Sequence, residues 1–110
     1  MMKLAMSTAA AGLLRALLGR TGVDRDRILL SSFHSTDWNS LTFAGERHHM
    51  LLRIPDPGAD AVAALLVEGL EEAEFAIPGQ IVADIGLAKP LAKIDDGSVM
   101  IEIEALTVAE

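Results

Sequence analysis

Residues 94–108 read IDDGSVMIEIEALTV. An Asp-Gly pair followed by alternating apolar and polar positions is the strongest turn-and-strand signal in the chain. It commits the C-terminal third to an antiparallel hairpin with one buried face. Strands over 80–94 and 98–108, joined by Asp96-Gly97 as a two-residue loop, place Ile94 opposite Val99 and Lys89 opposite Glu104. One face then holds Val82, Ala88, Ala92, Ile94, Val99, Ile101 and Ile103. The other holds Lys89, Lys93, Glu102 and Glu104, with Ile85, Leu87, Leu106 and Val108. The opposite-charge pair and the apolar face both support this register.

The rest of the chain supplies two helices and a second hairpin. Ser7 or Thr8 caps a helix over 6–19, in which Met6, Ala10, Leu13, Leu14, Leu17 and Leu18 form one stripe. Gly19 and Gly22 end it. The β-rich stretch from 27 to 54 carries the turn cluster STDWNS in its middle. It reads as a hairpin with strands near 27–35 and 40–54. Asp56 caps a second helix over 57–73, and Pro57 suits its first position. Val62, Leu65, Leu66, Gly69, Leu70 and Ala73 make its buried stripe. Glu68, Glu71, Glu72 and Glu74 crowd the end of this helix, the wrong sign for its dipole. Arg15 or Arg20 on the first helix is the expected counterweight, beside a solvated acidic face.

The element order is therefore αββαββ. It is a circular permutation of the ferredoxin-like pattern. The expected fold is a single α+β domain over 1–110, a two-layer sandwich with a four-stranded antiparallel sheet. The strands run third, fourth, second, first across the sheet, with both helices on one face. Pro90 has no N–H to give to a ladder, so the third strand belongs at an edge. This is a fold-level analogy, and fold does not give function.

Composition excludes several function classes. The 110 residues hold 16 acidic and 9 basic side chains, a net charge of −7. The basic ones are dispersed, which argues against nucleic acid or an anionic membrane surface as partner. There is no cysteine, so thiolate metal sites, iron–sulfur clusters and cysteine nucleophiles are out. No GxGxxG or Walker spacing occurs, and no cofactor is expected. The N-terminal stretch resembles a signal peptide at Lys3, but Arg15 interrupts its apolar run. No segment approaches the ~20 apolar residues of a membrane span. Cytoplasmic is the default expectation for the compartment.

HSTDWNSLTFAGERHH, from His34 to His49, holds all three histidines and the one tryptophan. With Asp37 to Asn39 as a three-residue loop, Phe33 pairs with Phe43, His34 faces Thr42 and Ile28 faces His48. His34 and His48 then share a face with Leu30, Met50 and Leu52, but stand roughly 20 Å apart. His48 and His49 point to opposite faces. A two-histidine zinc site within one chain is not expected, and a metal is expected only if two chains combine. Glu46 and His48 lie two apart on one face, the minimal acid–base pair. Gly45, inside a strand, signals a bulge or a close approach by another backbone.

Hydrophobic residues make up 51% of the chain, more than a domain this small easily hides alone. Neither sheet face reads as polar. A homo-oligomer, most simply a two-fold dimer joined through the sheet, is the expected assembly. His34, Trp38, Met50 and Leu52 are the expected interface or ligand-binding residues, with Trp38 as an anchor at the hairpin tip. Burial of His34 in that interface would make the dimer weaken in mild acid. The expected role is assembly or small-ligand binding without catalysis. The alternative is a small enzyme using Glu46 and His48, completed by His34 of a second chain.

Overall fold

The computed structural model describes residues 5–110; Lys3 of the signal-like stretch lies outside them. Helix α1 spans Thr8–Gly19. Ser7 is its N-cap, its hydroxyl accepting from the Ala10 amide at 3.0 Å. A 3-10 turn over Arg25–Arg27 leads into β1 (Leu29–Asn39) and β2 (Ala44–Ile54). Helix α2 spans Ala59–Val67, followed by a 3-10 turn over Leu70–Glu72. Strands β3 (Gln80–Leu87), β4 (Ala92–Lys93) and β5 (Val99–Ala109) complete the chain. The result is an α+β domain with two helices and an antiparallel sheet. None of the described helices is long and apolar enough to cross a membrane.

The sheet has five strands, not the expected four, in the order β1-β2-β5-β3 with β4 also paired to β5. The third strand expected over 80–94 breaks in two. Pro90 cannot donate to the ladder, and the chain leaves β5 after Ala88, whose amide donates to the Glu102 carbonyl, and pairs with it again at Ala92. Strand β3 lies at an edge, where such an interruption costs little.

Ala10, Leu13 and Leu17 of α1 and Val62, Ala63 and Leu66 of α2 pack in one core with Met50, Leu52 and Ile54 of β2 and Val99, Ile101 and Ile103 of β5. Both helices therefore cover the same sheet face. Helix α2 begins later and ends earlier than 57–73. Gly58, not Asp56, is its N-cap, and its carbonyl accepts from the Val62 amide. Gly69, at φ 67°, breaks the helix after Glu68. Leu65, expected inward, is exposed. Arg20 donates from Nη2 to the Glu68 carbonyl, so a cation does meet the C-terminal end of α2.

Both hairpin loops differ from expectation, and each difference exchanges faces. In the C-terminal hairpin Lys93 pairs with Val99. Ile94 donates to the Ser98 carbonyl and accepts from Gly97, which sits at φ 87°. The loop is thus Asp95-Asp96-Gly97, a turn closed by a left-handed glycine, one residue longer than the two-residue form. On β5, Val99, Ile101 and Ile103 are buried as expected. On the facing segments the parity reverses: Ile85 is buried and Ile94 is 40% exposed. Lys89 lies 4.0 Å from Glu102, not beside Glu104.

In the N-terminal hairpin His34 pairs with His49, seven residues beyond the expected Thr42. The turn is Ser40-Leu41-Thr42-Phe43. The Ser40 amide donates to the Phe43 carbonyl at 2.8 Å, and the Ser40 hydroxyl accepts from the Phe43 amide at 3.0 Å. This serine-held turn carries none of the glycine or asparagine that marks most hairpins. The bulge falls at Ser31, between Leu30 and Ser32, not at Gly45.

Gly45 serves a close approach instead. A Cβ there would fall on the Thr107 carbonyl oxygen of β5. That atom belongs to a central strand and cannot yield. Gly45→Ala is expected to destabilise the fold by about 1–3 kcal/mol, as overpacking does. Urea unfolding measures it, and an unchanged midpoint would mean that β2 and β5 separate freely at this row.

Candidate functional site

The corrected register splits the histidine-rich stretch between the two faces of the sheet. Even-numbered residues of β2 face the helices. Glu46 lies opposite Thr107, and His48 between Ser35 and Ala105. Odd-numbered residues face away from them: Arg47, His49 and Leu51 on β2, flanked by Thr36, His34 and Ser32 on β1 and by Leu106, Glu104 and Glu102 on β5. His34 and His48, expected together, are on opposite sides.

On the helix side His48 is 2% exposed. Its Nδ1 lies 2.8 Å from the Ser35 hydroxyl and its Nε2 2.8 Å from the Thr107 hydroxyl. Each hydroxyl donates or accepts, so either neutral tautomer is satisfied. Glu46 Oε1 lies 3.8 Å from Nε2 and accepts from the Ser7 hydroxyl at 2.6 Å. Ser7 is also the cap of α1, so one polar chain runs from the helix N-terminus through Glu46 to His48 and Thr107. Burial pushes the His48 imidazole below its ordinary pKa, and the Glu46 carboxylate opposes this only in part. The structure thus brings Glu46 and His48 together. Sequence reasoning missed Ser7, Ser35 and Thr107, because pairing them required the true register.

An acid–base pair acts on a substrate only within hydrogen-bond reach of it. Both ring nitrogens of His48 are engaged inside the protein, and the ring is closed off from solvent. Met50 and Leu52, expected at an interface, are 1% and 0% exposed and belong to the core under the helices. They are unavailable to any partner. The apolar set expected around His34 is therefore absent from its face.

On the open side His34, Thr36, Arg47, His49 and Glu104 surround a shallow depression of about 150 Å³. His34 is exposed. His49 Nε2 lies 2.8 Å from Glu102 Oε2. Trp38 is half-buried and lies not at the tip but opposite Gly45, in a row that continues through Val108 to Ile81. A larger cavity, about 690 Å³, lies elsewhere, between the 73–78 connector, the start of β3 and Glu110. Among the described residues, Glu74 and Glu110 are its only ionisable side chains. It offers volume without a reactive constellation. Among the described residues, no three histidine or acidic side chains converge to hold a metal ion.

The geometry yields a sealed polar network on one face and an open, mixed-polarity surface on the other. The sequence matches no protein-family model and no curated protein, so the functional reading rests on these two faces alone.

Proposed function

We propose that this chain is a non-catalytic assembly domain that pairs with a second copy of itself through the open sheet face. One observation carries the reading: that face combines uncovered apolar side chains with unpaired charges of both signs. Ile81 is 53% exposed, and Trp38 stands in the same row, with Val108 and Gly45 between them. Phe43, at the adjoining turn, is 58% exposed. Arg47 on β2 and Glu104 on β5 make no ion pair among the described residues. A two-fold axis sets the same patch against itself, so Arg47 of one copy meets Glu104 of the other, twice. A surface with basic and acidic members on neighbouring strands suits such self-pairing. The buried His48 network supports a structural role for Glu46 and His48 in place of catalysis. The helix and strand order supports a permuted ferredoxin-like sandwich, and we place the domain in the cytoplasm.

Sedimentation at falling concentration tests the dimer. Trp38→Ala is expected to weaken it by at least ~2 kcal/mol, about thirtyfold, as loss of an interface anchor does. Arg47→Glu and Glu104→Arg should each weaken it, and the double swap should recover it. A wild-type chain that stays monomeric at tens of micromolar ends the proposal.

A further inference from the structure

We propose that His34 and His49 form a binding site for a borderline divalent cation of the Zn2+ class on the open sheet face. The site arises from the register: His34 and His49 are direct cross-strand partners, and both line the same depression with Glu104. Directly opposed residues of an antiparallel pair have Cβ atoms about 5 Å apart. Two imidazoles on such a base can both reach one ion at the ~2.0–2.1 Å of a Zn–N bond.

The ligand atoms follow from the hydrogen bonding. Glu102 Oε2 lies 2.8 Å from His49 Nε2. An ionised carboxylate only accepts, so Nε2 carries the hydrogen, and in the neutral ring the lone pair sits on Nδ1. A carboxylate holding the far nitrogen of a metal-binding histidine is the usual outer support of such sites; it fixes the orientation of the ring. Glu102 is that support here. Glu104, directly opposite His49 on β5 and lining the same depression, is the candidate third ligand. Among the described residues no three histidine or acidic side chains already converge, so this is a two-histidine site whose remaining positions are filled by water and, on a rotamer change, by Glu104. Imidazole ligands select Zn2+, Ni2+ or Cu2+ over Mg2+ and Ca2+, which prefer all-oxygen sets. His48 takes no part, because its ring is buried on the other face with both nitrogens engaged.

Calorimetric titration of Zn2+ into the full chain at pH 7.5 tests this, with Mg2+ as the contrasting ion. It is run on wild type and on Trp38→Ala, so that occlusion by a dimer is separated from absence of a site. One ion per chain is expected in the Trp38→Ala background. His34→Ala and His49→Ala, introduced there, should each weaken binding at least tenfold, and Glu102→Gln by severalfold or more. Zn2+ should shift the ring signals of His34 and His49 in NMR spectra and leave those of His48 in place. The ring shifts are read in the Trp38→Ala background and need no histidine substitution, so they stand even if a histidine variant perturbs folding. Absence of binding at millimolar Zn2+, equal binding of Mg2+, or full binding after loss of either histidine overturns the site.

Discussion

Ile101→Asp is expected to abolish the cooperative unfolding transition, whereas Glu102→Lys, one residue along, should leave it within about 1 kcal/mol of wild type. Ile101 is fully buried at the middle of β5, opposite Leu52, with β2 on one side and the β3–β4 segment on the other. Replacing it removes ~1.5–3 kcal/mol of burial. It also puts a carboxylate into the apolar core that holds Leu13, Leu52 and Leu66. The effective penalty for an unpaired buried ion is several kcal/mol more. The sum is comparable with the whole stability of a small domain, about 5–15 kcal/mol. Glu102 points to the open face, where it holds His49 and approaches Lys89; its loss removes surface pairing only. Thermal melting followed by circular dichroism reads both. A normal transition for Ile101→Asp with a lost one for Glu102→Lys would mean that the faces of β5 are the reverse of those described.

That contrast also marks where the sequence was readable. The alternation from Val99 to Glu104 identifies its buried face without help, because a strand's side chains alternate whatever its neighbours do. Ser7 as a cap, both helices and the edge position of the strand before Pro90 were legible for the same local reason. What failed was loop length. Asp96-Gly97 signals a turn equally well with two or three loop residues, and the choice between them decides whether Ile85 or Ile94 is buried. The first hairpin failed more widely. STDWNS is rich in turn formers, yet its first five residues lie in β1, and only its last, Ser40, enters the true turn, where it holds Leu41 and Thr42, which carry no turn signature of their own. A displacement by an odd number of residues exchanged the two faces. It therefore hid the His34–His49 pair and sent Met50 and Leu52 to the wrong side. The Glu46–His48 pair survived because its two members are neighbours on one strand, independent of any register.

The buried network is expected to make folding stability depend on mild acid through His48. Desolvation is the larger influence on this ring and lowers its pKa; the Glu46 carboxylate acts the other way. A base whose folded pKa lies below its unfolded value of 6.5 binds protons more readily when unfolded. Its contribution to stability is fully present above pH 6.5 and is lost as the pH falls from there through the folded pKa. Asp96, whose pKa is lowered chiefly by the Ser98 amide, acts only below its ordinary 3.8, and Lys93, raised by Asp60, only above 10.5. Neither overlaps the histidine window. The urea midpoint should therefore drop between pH 7.5 and pH 5. His48→Gln keeps a neutral group able to bond both Ser35 and Thr107, and should flatten that slope while lowering stability modestly at pH 7.5. His48→Ala leaves both hydroxyls without a partner beside a cavity, and should cost about 2–4 kcal/mol at pH 7.5. In acid this variant should also lose the slope. If His48→Gln retains the wild-type pH dependence, the proton is taken up elsewhere. If wild type instead gains stability towards pH 5, Glu46 outweighs burial and the ring is held as imidazolium, with its carboxylate partner drawn away from the Ser7 cap.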